Sequence, residues 1–142
     1  MNMWPESLPV PDAVAGFLQA VGRPSPVFDL KLSECALLVI DMQNDFILPG
    51  APLEGWNCMA IVPKIAELVQ FFRNHSRPVI WTKHIHRLND IGILAPMWPA
   101  TGPDSRTKAL VKGTKGVEII ADLPAPVEDE LVIEKHRYSA FY

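Results

Sequence analysis

Charged and polar side chains follow three short apolar runs of this sequence, and their types suggest acid–base chemistry. Asp41 follows "ALLVI", His84 and His86 close "PVIWTKHIH", and Lys135 follows "LVIE". A carboxylate at the end of an apolar strand is poorly solvated and requires a cation or hydrogen-bond donors, which Lys135 can supply. Such a pair places a base beside a cation, as nucleophilic catalysis requires. A structural salt bridge explains the same residues equally well, because structural ion pairs arise in the same surroundings.

His84 and His86 are separated by one residue, so on an extended segment their rings point to the same side. Two rings in that arrangement could share a metal or a substrate. Two histidines are too few for a catalytic zinc site and no acidic third ligand is close in sequence, so we predict no metal and no other cofactor. We expect one ring in a binding site and the other hydrogen-bonded to the loop. Asp45 in "QNDF" is predicted to be a loop carboxylate that caps backbone N–H groups.

A nucleophile that such a base could activate is missing from the sequence pattern. Cys35 precedes the first apolar run and is expected at the amino end of the sheet. Cys58 begins the helical segment after that run, in "GWNCMAI", with no adjacent base. We predict that both are small buried hydrophobic residues and not nucleophiles. Neither a G-x-S-x-G elbow nor a glycine-rich phosphate loop occurs.

Three strands and one helix must position these residues. Apolar runs without alternation near 36–41, 78–83 and 130–134 predict adjacent parallel strands that are buried on both faces. Between the first two, apolar residues recur at helical spacing from Ile61 to Phe72, and Pro63 suits the first turn. The predicted fold class is α/β, a Rossmann-like three-layer α/β/α arrangement with a parallel sheet, incomplete at its C-terminal end. In such sheets, ligands bind at the carboxyl ends of the strands.

The remaining segments and the composition narrow the possibilities further. Residues 1–35 are predicted to form an N-terminal arm with a short helix in "VPDAVAGFLQAVG", and residues 36–142 to form the main domain. The stretch from Ile85 to Lys115 has little periodicity, which is typical of a functional loop. The net charge of −3 gives no case for nucleic acid or membrane partners, and no apolar run could span a bilayer. A signal peptide is not recognisable, so a cytoplasmic location is expected.

Together, "LLVIDMQNDF", "PVIWTKHIH" and "LVIEKHRYSAF" resemble the isochorismatase-like cysteine hydrolases, a superfamily of nicotinamidases, N-carbamoylsarcosine amidases and isochorismatase. The resemblance runs from Ala36 to Tyr142. It implies an Asp–Lys–Cys triad that cleaves an amide or carbamoyl-type C–N bond of a small-molecule substrate, with Asp41 as the aspartate and Lys135 as the lysine. The family's cysteine falls beyond Tyr142. We therefore expect a domain truncated before that cysteine and inactive alone, whether it is a fragment, one of two chains or the product of a truncated gene.

The resemblance also implies substrate-binding residues and an assembly. Some relatives bind a metal through an Asp-x-His pair that corresponds to His84 and His86, and the replaced aspartate argues against a metal here. The full-length protein is expected to be a homo-oligomer. The substrate-binding candidates are His84, His86, Trp98, Phe46 and Tyr138. Two other functions stay open: a non-catalytic binding module that keeps the Asp–Lys pair, and a receiver-like phosphotransfer domain, to which "DMQND" is a poor match.

Overall fold

The computed structural model describes residues 31–86 and 109–141 of the chain. Contacts divide the chain into two units, Met1–Cys35 and Ala36–Tyr142. Of the first unit, the described residues form one short 3-10 turn, Leu32–Glu34. The helix predicted within residues 10–22 lies outside the described residues, as does Trp98. In the part of the chain that is described, no helix is both long and apolar enough to cross a membrane.

The second unit is built on a sheet of three parallel strands in the order β1–β2–β3. The strands are β1 (Leu37–Ile40), β2 (Val79–His84) and β3 (Leu131–Lys135). Their positions agree with the three apolar runs to within two residues, and both pairings are parallel and adjacent as predicted. Because a parallel connection needs a crossover, the helix between β1 and β2 completes a βαβ unit.

Two helices follow β1. A single turn, α1 (Asn44–Ile47), leaves the end of the strand, and a longer helix, α2 (Val62–Asn74), is preceded by the 3-10 turn Cys58–Ile61. Proline in the first turn of α2 costs no hydrogen bond, because the first N–H groups of a helix have no partner within it. The described chain then has a 3-10 turn at Lys115–Val117 before β3.

The core of the second unit lies between α2 and one face of the sheet. Val39 and Trp81 from that face pack with Val62 and Val69 of α2, and all four are nearly inaccessible to solvent. Side chains alternate across a strand, so this face receives every second residue of β1 and β2. Complete burial of side chains of this size is the main favourable contribution to folding, about 2 kcal/mol for each.

The opposite face of the sheet is exposed where it is most apolar. Leu38 is 51%, Ile40 57% and Leu131 57% accessible to solvent. The prediction that these strands are buried on both faces is therefore wrong for the described residues, among which α2 covers one face. Only the carboxyl end of this face is buried, at Thr82, His84 and Lys135. Strand alternation places these three polar residues on the same face as the exposed apolar ones, toward the carboxyl edge of the sheet.

Candidate active site

The backbone of Asp41 ends β1 in a left-handed conformation, with φ of 52°. Strand alternation alone would place its side chain on the face of Val39. The left-handed turn instead brings the carboxylate to the opposite face, where it contacts Thr82 and Lys135. The peptide N–H of Asp41 still donates to the carbonyl oxygen of Thr82, at 3.1 Å. Aspartate is one of the few residues other than glycine that adopts this conformation readily, which explains how an acidic residue fits here.

Asp41 and Lys135 form an ion pair at the carboxyl edge of the sheet. The Nζ of Lys135 lies 2.6 Å from Oδ2 of Asp41. The hydroxyl of Thr82 donates to the other carboxylate oxygen, Oδ1, at 2.6 Å. The lysine side chain is 5% and the aspartate side chain 18% accessible, so the pair is largely removed from water. The contact predicted between the two side chains is present, although β1 and β3 are separated by β2.

His84 ends β2 and is the register partner of Lys135 on β3. It is buried, and burial together with the charge of Lys135 lowers its pKa from 6.5 to about 4. The imidazole is therefore neutral at physiological pH. Its ring lies edge-on to that of His86, with centroids 4.7 Å apart, and 6.3 Å from the ring of Tyr138. The prediction that the two histidine rings share a side is confirmed by this contact.

The backbone of His86 extends the site toward residues 109–118. Its N–H donates to the carbonyl of Leu110 at 2.7 Å, and its carbonyl accepts from the N–H of Lys112 at 3.2 Å. These bonds hold the end of the loop against the strand edge. We expected the side chain of one histidine to hydrogen-bond the loop. The two bonds described here are made by the backbone of His86.

Gln43 is a site residue that sequence reasoning missed. It is fully buried, and its side-chain amide bonds both backbone groups of His84: Oε1 accepts from the N–H at 2.7 Å and Nε2 donates to the carbonyl at 2.9 Å. Nε2 also donates to the carbonyl of Val117, at 2.9 Å. A buried amide must satisfy its hydrogen-bonding groups, and here it holds the end of β2 in place. The available signal was a long polar side chain three residues after an apolar strand.

Asp45 binds a loop that is distant in sequence. Its Oδ2 accepts from the N–H of Leu110 at 2.6 Å, which confirms that the carboxylate binds a backbone N–H, although Asp45 itself lies in α1 and not in a loop. Gly116 lies so close that a Cβ there would collide with this carboxylate. Leu110 has a positive φ of 57° and packs with Ile85 and Val117 in a second small core cluster. Asp45 therefore supports the loop beside the site without contacting Asp41.

The other predicted residues have different surroundings. Phe46 is partly buried and packs against both core clusters, and Tyr138 is largely exposed beside His84. Cys35 and Cys58 are only partly buried, so the full burial expected of them is not present, although Cys58 packs against the apolar cluster that contains Val39. The thiol of Cys35 lies 3.1 Å from the carbonyl oxygen of Lys31, to which it can donate a weak hydrogen bond.

Cys58 lies on the wrong face of the sheet to reach the ion pair. It packs against the cluster that contains Val39 and α2, whereas Lys135 belongs to the opposite face. Within residues 31–86 and 109–141, no group of three or more His, Cys, Asp or Glu side chains could hold a metal ion. The described arrangement supplies a base, a cation and a neutral imidazole at one edge of the sheet.

Comparisons with known proteins assign the chain to a family. The Isochorismatase domain family model matches residues 35–142. A probable inactive nicotinamidase of Arabidopsis thaliana is 35% identical over 109 residues, which are 75% of this chain and 54% of that protein. The N-carbamoylsarcosine amidase of an Arthrobacter species is 30% identical over 113 residues, covering 75% of this chain and 40% of that protein.

A solved structure gives the same assignment. The crystal structure of a cysteine hydrolase from Pseudomonas syringae pv. phaseolicola has a TM-score of 0.72 and 29% sequence identity, covering 84% of this chain and 55% of that one. The parallel α/β fold is thus shared with isochorismatase-like structures. The chain spans about half the length of the curated relatives it matches. Because the family model covers most of its length, the chain belongs to the isochorismatase family.

Proposed function

We propose that this chain carries the Asp–Lys part of a cysteine-hydrolase active site that cleaves an amide or carbamoyl-type C–N bond of a small molecule. The observation that carries the proposal is the largely buried Asp41–Lys135 ion pair at the carboxyl edge of the sheet, at 2.6 Å. Ligands bind at this edge in open parallel sheets. Membership of a family that includes an N-carbamoylsarcosine amidase supports the reaction class.

In the proposed reaction, Asp41 is the base and Lys135 holds it in place. Asp41 takes the proton of a cysteine thiol, and the thiolate sulfur attacks the carbonyl carbon of the substrate. The C–N bond breaks as the nitrogen receives a proton and leaves as an amine or ammonia. Water then hydrolyses the thioester to a carboxylic acid and regenerates the thiol. The thiol comes from polypeptide beyond Tyr142, where the resemblance places it.

The substrate in this proposal lies against the rings next to the ion pair. The ring of His84 is in contact with the rings of His86 and Tyr138 at the carboxyl edge. Phe46 and Trp98 complete the set of proposed binding residues. A homo-oligomer and a cytoplasmic location belong to the same proposal, with no cofactor and no metal.

The test uses a protein that includes the cysteine-bearing polypeptide, assayed for ammonia release from nicotinamide and from N-carbamoylsarcosine. We expect Asp41→Asn to lower turnover by at least about 1000-fold, because a nucleophile without its base loses most of its rate. Asparagine keeps the size of the side chain and tolerates the left-handed backbone. Glu134→Gln is the matched control, because Glu134 is an acidic neighbour of Lys135 that faces solvent. Unchanged turnover in Asp41→Asn would exclude Asp41 as the base.

A non-catalytic binding module is the second candidate, and one observation favours it. Among the described residues of the second unit, Cys58 lies on the opposite face from the ion pair and is not placed to attack a substrate there. One relative is also named a probable inactive nicotinamidase. Under this alternative, the protein with its C-terminal polypeptide binds the amides without releasing ammonia. Under the hydrolase proposal the same protein binds them and turns them over.

A further inference from the structure

One buried atom beside the ion pair lacks a partner. Within residues 31–86 and 109–141, Nε2 of His84 is the one buried side-chain nitrogen or oxygen without a hydrogen bond. The whole residue is only 6% accessible. Buried polar atoms in native proteins are almost always bonded, and each exception requires an explanation. A ligand that completes the bond is such an explanation when the atom lies in a candidate site.

The backbone of His84 is held so firmly that its ring has little freedom to find another partner. Gln43 bonds both the N–H and the carbonyl of His84, with distances of 2.7 and 2.9 Å. The ring itself packs edge-on to that of His86. Because backbone and ring are both fixed, the unpaired nitrogen is preorganised, which lowers the entropic cost of binding a ligand.

The charges around His84 select the kind of group that fits. Burial and the charge of Lys135 lower the pKa of the imidazole to about 4, so at pH 7 its neutral form outnumbers its protonated form about 1000 to one. The neighbouring cation, Lys135, is already neutralised by Asp41. An anionic group would therefore lose its hydration without gaining a countercharge, which is costly. A neutral imidazole nitrogen makes an ordinary hydrogen bond to a carbonyl, amide or hydroxyl.

We propose that Nε2 of His84 binds an uncharged polar group of the substrate, a carbonyl, amide or hydroxyl, beside the Asp41–Lys135 pair. The inference rests on the proposed function for the location of the substrate, and it adds the chemical class that the site accepts. His84 is in this view a binding residue that transfers no proton. Asp41 retains the role of base.

The test is a binding experiment on the 142-residue chain with imidazole-¹⁵N-labelled histidine. Two pairs of probes have nearly the same shape and differ in that a neutral amide replaces a carboxylate: acetamide with acetate, and nicotinamide with nicotinate. We expect the amides to shift the Nε2 resonance of His84, and each carboxylate to bind at least about tenfold more weakly, the effect of a little over 1 kcal/mol of unpaired charge. An Nε2 resonance that neither amide moves, or carboxylates that bind as tightly as the amides, would overturn the proposal.

Three variants separate the role of the nitrogen from the shape of the ring. His84→Gln retains a polar group near the position of Nε2 and is expected to keep amide affinity within about threefold, whereas His84→Leu should lose about tenfold or more. His75→Gln is the control, because His75 is an exposed histidine at the end of α2. Equal amide affinity in His84→Leu and the unmodified chain would contradict the proposal. If His84→Leu does not fold, the resonance shift and His84→Gln still decide.

Binding and turnover are measured separately, so the two proposals can fail independently. A protein with the cysteine-bearing polypeptide that binds nicotinamide at His84 and releases no ammonia would disprove the hydrolase and leave the His84 inference intact. A protein that releases ammonia while the His84 resonance stays unchanged would disprove the inference and leave the hydrolase intact.

Discussion

Replacing the two members of the buried ion pair, singly and together, tests whether Asp41 and Lys135 act as one unit. Lys135→Met keeps the length of the side chain and removes its charge, and Asp41→Asn keeps the shape and removes the other charge. In each single variant a largely buried charge loses its partner. The double variant removes both charges, and its asparagine can still accept the hydrogen bond from Thr82.

The magnitude follows from the burial of each partner. Breaking a buried ion pair by removing one member costs about 3–5 kcal/mol, because the other charge is left uncompensated. Lys135 is 5% and Asp41 18% accessible, so Asp41→Asn should cost about 4 kcal/mol and Lys135→Met about 3 kcal/mol. With both charges absent the penalty is mainly a lost hydrogen bond, about 1 kcal/mol. The double variant should therefore be more stable than either single variant.

The assay is urea unfolding at low temperature, followed by tryptophan fluorescence, to which the buried Trp81 contributes, and by circular dichroism. The matched control is the exposed pair Lys112–Glu134, at 3.4 Å, where Lys112→Met and Glu134→Gln should show coupling below about 0.5 kcal/mol. If the loss of stability in the double variant equals the sum of the losses in the two single variants, the two charges do not stabilise each other. That result would refute the reasoning.

Three further outcomes are expected from unfolding measurements. The pKa of His84 falls from 6.5 to about 4 on folding, so the unfolded chain binds the proton first as pH is lowered. The free energy of unfolding should therefore fall by up to about 3 kcal/mol between pH 6.5 and pH 4. His84→Gln should remove this pH dependence, and its persistence in that variant would contradict the explanation. The hydrogen bond from Arg73 is the main cause of the lowered pKa of Glu130, which also accepts a bond from Trp81. Glu130→Gln should lower the free energy of unfolding by about 2 kcal/mol at pH 7. This difference from the unmodified chain should vanish at acidic pH, where Glu130 is protonated. Gln43→Leu leaves three buried backbone groups unpaired and should cost about 3 kcal/mol, whereas a loss below about 1 kcal/mol would contradict its clamping role.

The strands and the contact between their ends were predictable because they depend on local composition and on one rule of topology. A strand of a parallel sheet carries a continuous apolar run, and β1, β2 and β3 each have one. Parallel strands end at the same edge, so the residues that follow the runs must approach one another. This reasoning brought Asp41 and Lys135 together across 94 positions of sequence without knowledge of any contact between them.

The features that the sequence did not reveal depend on partners far along the chain. The amide of Gln43 bonds residues 41 and 74 positions away, and no local pattern distinguishes it from a surface glutamine. The left-handed backbone of Asp41 turns its side chain to the opposite face of the sheet from the one that strand alternation predicts. The exposure of Leu38 and Ile40 was not predicted. An apolar run shows that a strand is suited to burial on both faces, but it does not show which residues pack against each face.

The unequal accessibility of the ion pair bears on which member does chemistry. Lys135 is almost inaccessible, whereas the side chain of Asp41 is 18% accessible, so in the proposed reaction the carboxylate is the member of the pair that a thiol would reach. Each carboxylate oxygen accepts one bond, from Lys135 or from Thr82, and each has a second lone pair that can take a proton. The observed asymmetry suits a base that a cation supports from within the sheet edge, and it predicts that Asp41→Asn combined with Lys135→Met restores stability without restoring turnover.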